Sequence, residues 1–169
     1  MNVSTLVSKP FGQFVTRADR IERVIGESME AVLAGGFVLY CKTKAFRWHM
    51  AALGCRDHDV ALENQANELY AVADCIAERI RRIGGSLLMR SISHVARIKR
   101  VHEEGEYQDP MDMLAELHED NQSLIQLLRT TRALLDEPLQ SEDVRTLDRW
   151  IDETVRRARY LQQAGCDAD

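Results

Sequence analysis

A helical repeat of apolar residues runs through most of the chain and limits what it can fold into. In one segment, apolar residues alternate steps of four and three: Leu62, Ala66, Leu69, Ala73, Ile76, Ile80 and Ile83. This spacing places them on one stripe of a helix that packs against other helices. The period recurs near 17–50, 111–135 and 144–161, without strand-like alternation. We therefore predict an all-α four-helix bundle.

Local signals refine this prediction. Asp109-Pro110 suits a helix start, because a proline in the first turn costs no hydrogen bond. Gly35-Gly36 inside the first helix predicts either a close helix crossing or a bend. The segment 86–100 is long enough for a short extra helix between the second and third helices.

Composition indicates one globular domain, which we place at 19–165 with tails at 1–18 and 166–169. The 169 residues are 45% hydrophobic and 29% charged, with a net charge of −5. This charge excludes a protein that binds nucleic acid over most of its surface, because such a domain is expected to be basic. No apolar run approaches the ~18 residues that a membrane helix needs, and no secretory signal is evident. The four scattered cysteines fit a reducing compartment, so we expect a cytoplasmic protein without a membrane partner. We expect them to be small buried hydrophobes, with a reactive loop thiol as the alternative for Cys55.

Four acids, Asp59, Glu63, Asp74 and Glu78, share the helix face opposite the apolar stripe. The two pairs are about 16 Å apart along one helix, too far to bind one ion. Their positions are symmetric about a point between residues 68 and 69. Two antiparallel copies of this helix would therefore build two four-carboxylate sites, which need a cation, protons or arginines. A simple solvated acidic face is the alternative.

Several segments together resemble Dps, the mini-ferritin family: YCKTKAFRWHM (40–50), RDHDVALENQ (56–65), DCIAERIRRIGG (74–85), SISHVARI (91–98), DPMDMLAELHEDN (109–121) and WIDETVRR (150–157). The resemblance covers about 21–161 in the family's order. It implies a ferritin-like bundle with a short helix between the second and third helices. It also implies a hollow dodecamer that stores iron, shields DNA from peroxide and carries ferroxidase sites between two-fold related subunits.

Carried over residue by residue, the resemblance assigns the metal ligands Asp59, Glu63, Asp74 and Glu78, the last two from the neighbouring subunit. The family has histidines where this chain has Arg47 and Asp59. Asp59 keeps an oxygen ligand, whereas Arg47 stays charged and only donates hydrogen bonds. We expect Arg47 either to form an ion pair with the acids or to swing out and leave a working site.

Three further residues lie next to this site. Trp48 is expected to pack beside it. His49 and His58 point away from the vacated ligand positions and are expected to be surface or hydrogen-bonded histidines rather than ligands.

The resemblance raises the question of DNA, yet the first eighteen residues contain only Lys9 and Arg17 as basic residues, so a lysine-rich tail is absent. The stretch 79–100 contains seven basic residues and no acid, and we expect them either to form ion pairs or to make a patch that contacts phosphates. They are Arg79, Arg81, Arg82, Arg90, Arg97, Lys99 and Arg100. Acids early in the third helix suit an iron-entry pore or simply a helix N-terminus: Asp112, Glu116, Glu119 and Asp120.

The leading hypothesis is a Dps-like mini-ferritin that binds, oxidises and stores iron through a degenerate intersubunit site, in the cytoplasm or with the nucleoid. The alternative is a ferroxidase-disabled shell with a structural, DNA-associated or co-assembly role. A third is a helical interaction module unrelated to iron, which gel filtration separates from a shell. Whether the chain is an enzyme stays open, because both histidine ligands are replaced.

Overall fold

A computed structural model describes residues 17–82, 109–135 and 141–166. These residues form four helices and no strand: α1 (Arg17–Ala52), α2 (Asp59–Arg82), α3 (Pro110–Ala133) and α4 (Ser141–Cys166). The predicted all-α four-helix fold is confirmed. The short helix predicted at 86–100 lies outside the described residues, and α1 begins at Arg17, two residues before the predicted start of the bundle at residue 19.

Contacts between the helices give their directions. Near the start of α1, Ser28 is hydrogen-bonded to Thr131 near the end of α3, at 2.7 Å. Near the end of α2, Arg79 is paired with Asp143 in the first turn of α4. Since α1 and α2 are antiparallel neighbours, α2 and α3 run parallel. The ends that the 83–109 connection joins therefore lie at opposite ends of the bundle, as in bundles with one long crossover.

A tight turn sets α2 against α1. Gly54 adopts a φ of 86°, a left-handed conformation that strains other residues. The Cys55 amide then donates to the Met50 carbonyl at 2.9 Å, which satisfies a carbonyl at the end of α1. This turn brings the last turns of α1 beside the first turns of α2, where the candidate site lies.

Two local predictions have different outcomes. The Asp109 side chain caps α3 by accepting a hydrogen bond from the Met111 amide at 2.8 Å, with Pro110 in the first turn. At Gly36, by contrast, an added Cβ would meet nothing within 4 Å. A close helix crossing at Gly36 is therefore not seen within the described residues, and α1 continues as one helix through it.

Among the described helices, α1 contains a stretch that is long and apolar enough to cross a membrane by length and composition alone. This stretch lies within Glu22–Ala52, where the uninterrupted apolar run 31–41 stays well short of the ~18 residues that a membrane helix needs. In the bundle, 44% of the stretch is buried. Its apolar residues Met29, Val32 and Leu39 belong to the hydrophobic core, so the apolar character of α1 has a structural use in this fold.

Candidate metal centre

The candidate site lies on the outward face shared by α1 and α2. Its outer end is formed by Arg47 of α1 and Asp59, the first residue of α2. Lys44 and Glu63 follow one turn further in. Because both pairs lie near the Gly54 turn, the local fold brings two cations and two carboxylates together.

Arg47 lies between both acids of this half of the site. Its Nη2 donates to Asp59 Oδ2 at 3.1 Å, and its Nε lies 2.9 Å from Oδ1 at ion-pair distance without hydrogen-bond geometry. Its Nη1 lies 2.8 Å from Glu63 Oε2. The Arg47 side chain is only 23% exposed, against 34% for each acid. Of the two conformations considered for Arg47, the structure has the ion pair.

Lys44 is a second cation in the site, and the sequence analysis missed it. Its Nζ donates to Glu63 Oε2 at 2.6 Å, the same oxygen that Arg47 approaches. It also lies 5.8 Å from the centroid of the Trp48 ring. The signal was present, because Lys44 stands three residues before Arg47 and residues at that spacing share a helix face.

The electrostatics follow from these contacts. The Lys44 hydrogen bond, together with the charges of Arg47 and Lys44, holds the pKa of Glu63 below its ordinary value, against desolvation and the Asp59 charge. The hydrogen bond to Asp59 raises the pKa of Arg47 in turn, with the Asp59 and Glu63 charges adding to it. Two positive groups thus balance two negative groups, and the lowered pKa keeps Glu63 ionised at neutral pH without a metal.

The other acid pair has different surroundings. Asp74 is exposed and has no ion-pair partner among the described residues, and Glu78 lies 3.6 Å from Arg82 in an exposed pair. One chain does not bring these acids to Asp59 and Glu63. Within the described residues, no three His, Cys, Asp or Glu side chains form a metal-binding group. A four-carboxylate site therefore requires a second copy of α2.

The histidines are placed largely as expected. His58 Nδ1 lies 3.0 Å from the Tyr160 hydroxyl of α4, and the rings meet edge to face. His49 is exposed on α1. Neither joins Asp59 and Glu63 in a metal-binding group.

Trp48 and three cysteines are exposed. Trp48 lies beside Lys44 of the site and is 61% exposed, since it lies on the outward side of α1. Cys41, Cys55 and Cys75 are exposed thiols, because they occupy outward faces and the Gly54 turn rather than the apolar stripes. The expectation of buried cysteines was therefore wrong for Cys41 and Cys75, whereas Cys55 is an exposed thiol in the turn between α1 and α2.

The remaining charged clusters form ion pairs. Lys42 is paired with Glu116 and with Asp120, the latter at 2.6 Å, so two of the four acids considered for a pore share one cation of α1. Arg79 and Arg82 pair with acids of the same chain, which agrees with the ion-pair interpretation for that part of the basic stretch. Arg90 to Arg100 lie outside the described residues.

Known proteins to which this chain is similar include one relative by sequence and two solved structures. A "DNA protection during starvation protein" from Halobacterium salinarum is 35% identical over 68 residues, which are 40% of this chain and 37% of that relative. The crystal structure of antigen TpF1 from Treponema pallidum superposes with a TM-score of 0.77 at 20% identity, covering 93% of this chain and 98% of that one. The structure of a Mycobacterium smegmatis Dps1 mutant superposes with a TM-score of 0.73 at 17% identity. The superposition covers 86% of this chain and 97% of that one.

The family model for the ferritin-like domain matches residues 27–164, which contain nearly all of α1 to α4. The two superposed structures share this fold at low sequence identity, and the Halobacterium salinarum relative matches over little more than a third of its length. The sequence resemblance is confirmed, and the chain belongs to the ferritin-like family.

Proposed function

We propose that this protein is a Dps-like shell that stores iron and limits peroxide damage, with a weakened site for iron oxidation. The proposal is supported by membership of the ferritin-like family and by a relative named for DNA protection during starvation. One observation carries the weakened site: Lys44 and Arg47 neutralise Glu63 and Asp59 within the chain.

The assembly we propose is a dodecamer built from two-fold dimers in which α2 packs antiparallel against its copy. Four of the five large apolar side chains that are exposed among the described residues support it: Trp48, Leu53, Val60 and Tyr70. Trp48 follows Arg47 in the sequence, Val60 follows Asp59, and Tyr70 shares a helix face with Glu63 and Asp74. Exposed apolar side chains grouped in this way are typical of an interaction surface. In this dimer, Glu63 and Asp59 of one copy face Asp74 and Glu78 of the other.

Fe(II) is the substrate of this site. Carboxylate oxygens suit such a cation, and Asp59, Glu63, Asp74 and Glu78 would bind it. The ion must displace Lys44 and Arg47 from acids that are already compensated, and the described part of the chain offers it no imidazole ligand there. We therefore expect slow or weak Fe(II) oxidation in the native protein.

The test compares the native protein with the double variant Arg47→His, Asp59→His, which restores both nitrogen ligands. Imidazole is neutral at pH 7 and donates a lone pair, so the variant should bind Fe(II) more tightly and oxidise it faster under peroxide. The control Arg129→His, Asp152→His adds two histidines at exposed positions on α3 and α4. A native protein that oxidises iron quickly, with a double variant no faster, would contradict the weakened-site proposal.

The second candidate is a ferroxidase-disabled shell with a structural, DNA-associated or co-assembly role, in the cytoplasm or with the nucleoid. The same ion pairs favour it, since they stabilise the site without metal. A stable shell that neither binds nor oxidises Fe(II), and gains both in the double variant, would establish this candidate. DNA contact by such a shell would use surface arginines, because residues 1–18 offer only Lys9 and Arg17.

A further inference from the structure

Two tyrosine rings are in contact on the outward face shared by α1 and α2, between the two acid pairs of α2. Tyr40 of α1 and Tyr70 of α2 have ring centroids 5.6 Å apart at an interplanar angle of 47°, and the Phe37 ring lies 6.0 Å beyond Tyr40. Tyr40 packs partly against the core, whereas Tyr70 is 59% exposed. Within the described residues, neither phenol has a hydrogen-bond partner. The Tyr70 ring therefore packs against Tyr40 on one side and is exposed to solvent on the other.

Tyr70 occupies a special position along α2. It lies seven residues after Glu63 and four before Asp74, spacings that put all three on one helix face. It is also one and a half residues from the symmetry point between 68 and 69, so two copies of Tyr70 would be offset along the helices by only about 4.5 Å. In the proposed dimer, the two Tyr70 rings thus meet at the two-fold axis, between the two acid sites.

Packing alone does not require a phenol at this position. A phenylalanine would supply the same ring contact with Tyr40, and a hydroxyl without a partner costs desolvation when an interface covers it. What tyrosine adds is an O–H group that gives up one electron and one proton. Its neighbourhood, next to acids where iron and peroxide would react, gives that property a use.

We propose that Tyr70, positioned by Tyr40, is a one-electron oxidation site that couples across the two-fold axis to form dityrosine. This inference rests on the proposed dimer and iron chemistry. Each Tyr70 phenol loses one electron and one proton, and the two phenoxyl radicals join through ring carbons next to the oxygens. Those carbons then pass their hydrogens back to the oxygens. Hydrogen peroxide is the oxidant, with iron carrying the electrons, so two tyrosines and one peroxide give one dityrosine and two waters.

The function of this coupling is to consume oxidising equivalents that escape the acids and to lock the dimer covalently. It differs from iron storage, because it needs only Tyr70 from two copies and a one-electron oxidant.

The test treats the full-length assembled protein with Fe(II) and hydrogen peroxide. Dityrosine fluorescence, covalent dimers on denaturing gels and mass spectrometry of linked peptides are the readouts. We expect a Tyr70–Tyr70 link that is lost in Tyr70→Phe and retained in Tyr160→Phe, a control that removes a phenol on α4. Gel filtration verifies that both variants assemble like the native protein. A native shell that consumes iron and peroxide without this link overturns the proposal and leaves the iron function standing.

A second oxidant separates the two ideas. Persulfate with a photoexcited ruthenium complex oxidises tyrosine without iron. If the protein does not react with iron but this oxidant links Tyr70 to Tyr70, the tyrosine site stands and the proposed iron function fails. If this oxidant yields no Tyr70 link that Tyr70→Phe removes, the tyrosine site is refuted whatever iron does.

Discussion

The two acid pairs of α2 have the same spacing but different surroundings. Asp59 and Glu63 lie against α1, where Lys44 and Arg47 compensate them. Asp74 and Glu78 extend from the same face into solvent, and among the described residues Glu78 has one ion pair, with the neighbouring Arg82. The chain thus completes one half of the site electrostatically and leaves the other half to a partner. The difference teaches that equal spacing on one helix does not give equal roles, because the neighbouring helix supplies the cations to one pair alone.

The largest predicted effect on stability comes from the buried side of α2, where the core packing behind the two acid pairs should be alike. Leu62 lies behind the compensated acids and Ile76 behind the exposed ones, and each is 1% exposed. Replacing either with alanine should lower the free energy of unfolding by about 2–5 kcal/mol, because it leaves a cavity in the core. Urea denaturation checks this. A loss well below that range for one variant alone would mean that the two halves also differ in packing.

A smaller effect should separate the acids themselves. Glu63→Gln removes a charge that Lys44 and Arg47 compensate, whereas Asp74→Asn removes an exposed charge without a described partner. In metal-free protein at pH 7, Glu63→Gln should lower the Tm more than Asp74→Asn. Equal shifts would contradict the electrostatic difference between the halves.

The effect of Glu63 should also depend on pH. Its pKa is lowered in the folded state by Lys44 and Arg47, so its contribution is complete above the ordinary glutamate value of 4.5 and is lost as pH falls through the lower folded value. The Tm difference between the native protein and Glu63→Gln should therefore be constant near neutrality and shrink below pH 4.5. Thermal melts over an acidic pH series provide the measurement, and a difference that grows on acidification would contradict this sign.

The sequence was sufficient for the fold because its information is periodic. The apolar stripe of α2, from Leu62 to Ile80, is buried as predicted, since helical spacing alone decides which side faces the core. The Asp109-Pro110 start of α3 is also local, and it is found. Such features need no knowledge of the neighbouring helices.

The site was only partly predictable because it depends on contacts between helices. The Arg47 ion pair could be anticipated, since a permanent cation beside acids has few alternatives. The role of Lys44 in the site and the exposure of Trp48 could not be predicted from the sequence, because both depend on which side of α1 faces α2. The side chains that match Asp74 and Glu78 belong to another copy, so one chain does not settle whether the acids meet.

The smallest predicted effect concerns the ion pair that Glu78 of the second acid pair forms with Arg82. Arg82 and Glu78 form an i,i+4 pair at 3.6 Å whose side chains are 62% and 65% exposed. Solvent screens such a pair, so Arg82→Ala should cost only about 0.2–0.5 kcal/mol more than the matched control Arg81→Ala. The excess should vanish in molar salt, where the screening length is about 3 Å. Urea denaturation of both variants at low and high salt measures it. A salt-resistant loss would mean that Arg82 restrains Glu78 as firmly as Arg47 holds Asp59, and the contrast between the two halves of the face would then fail.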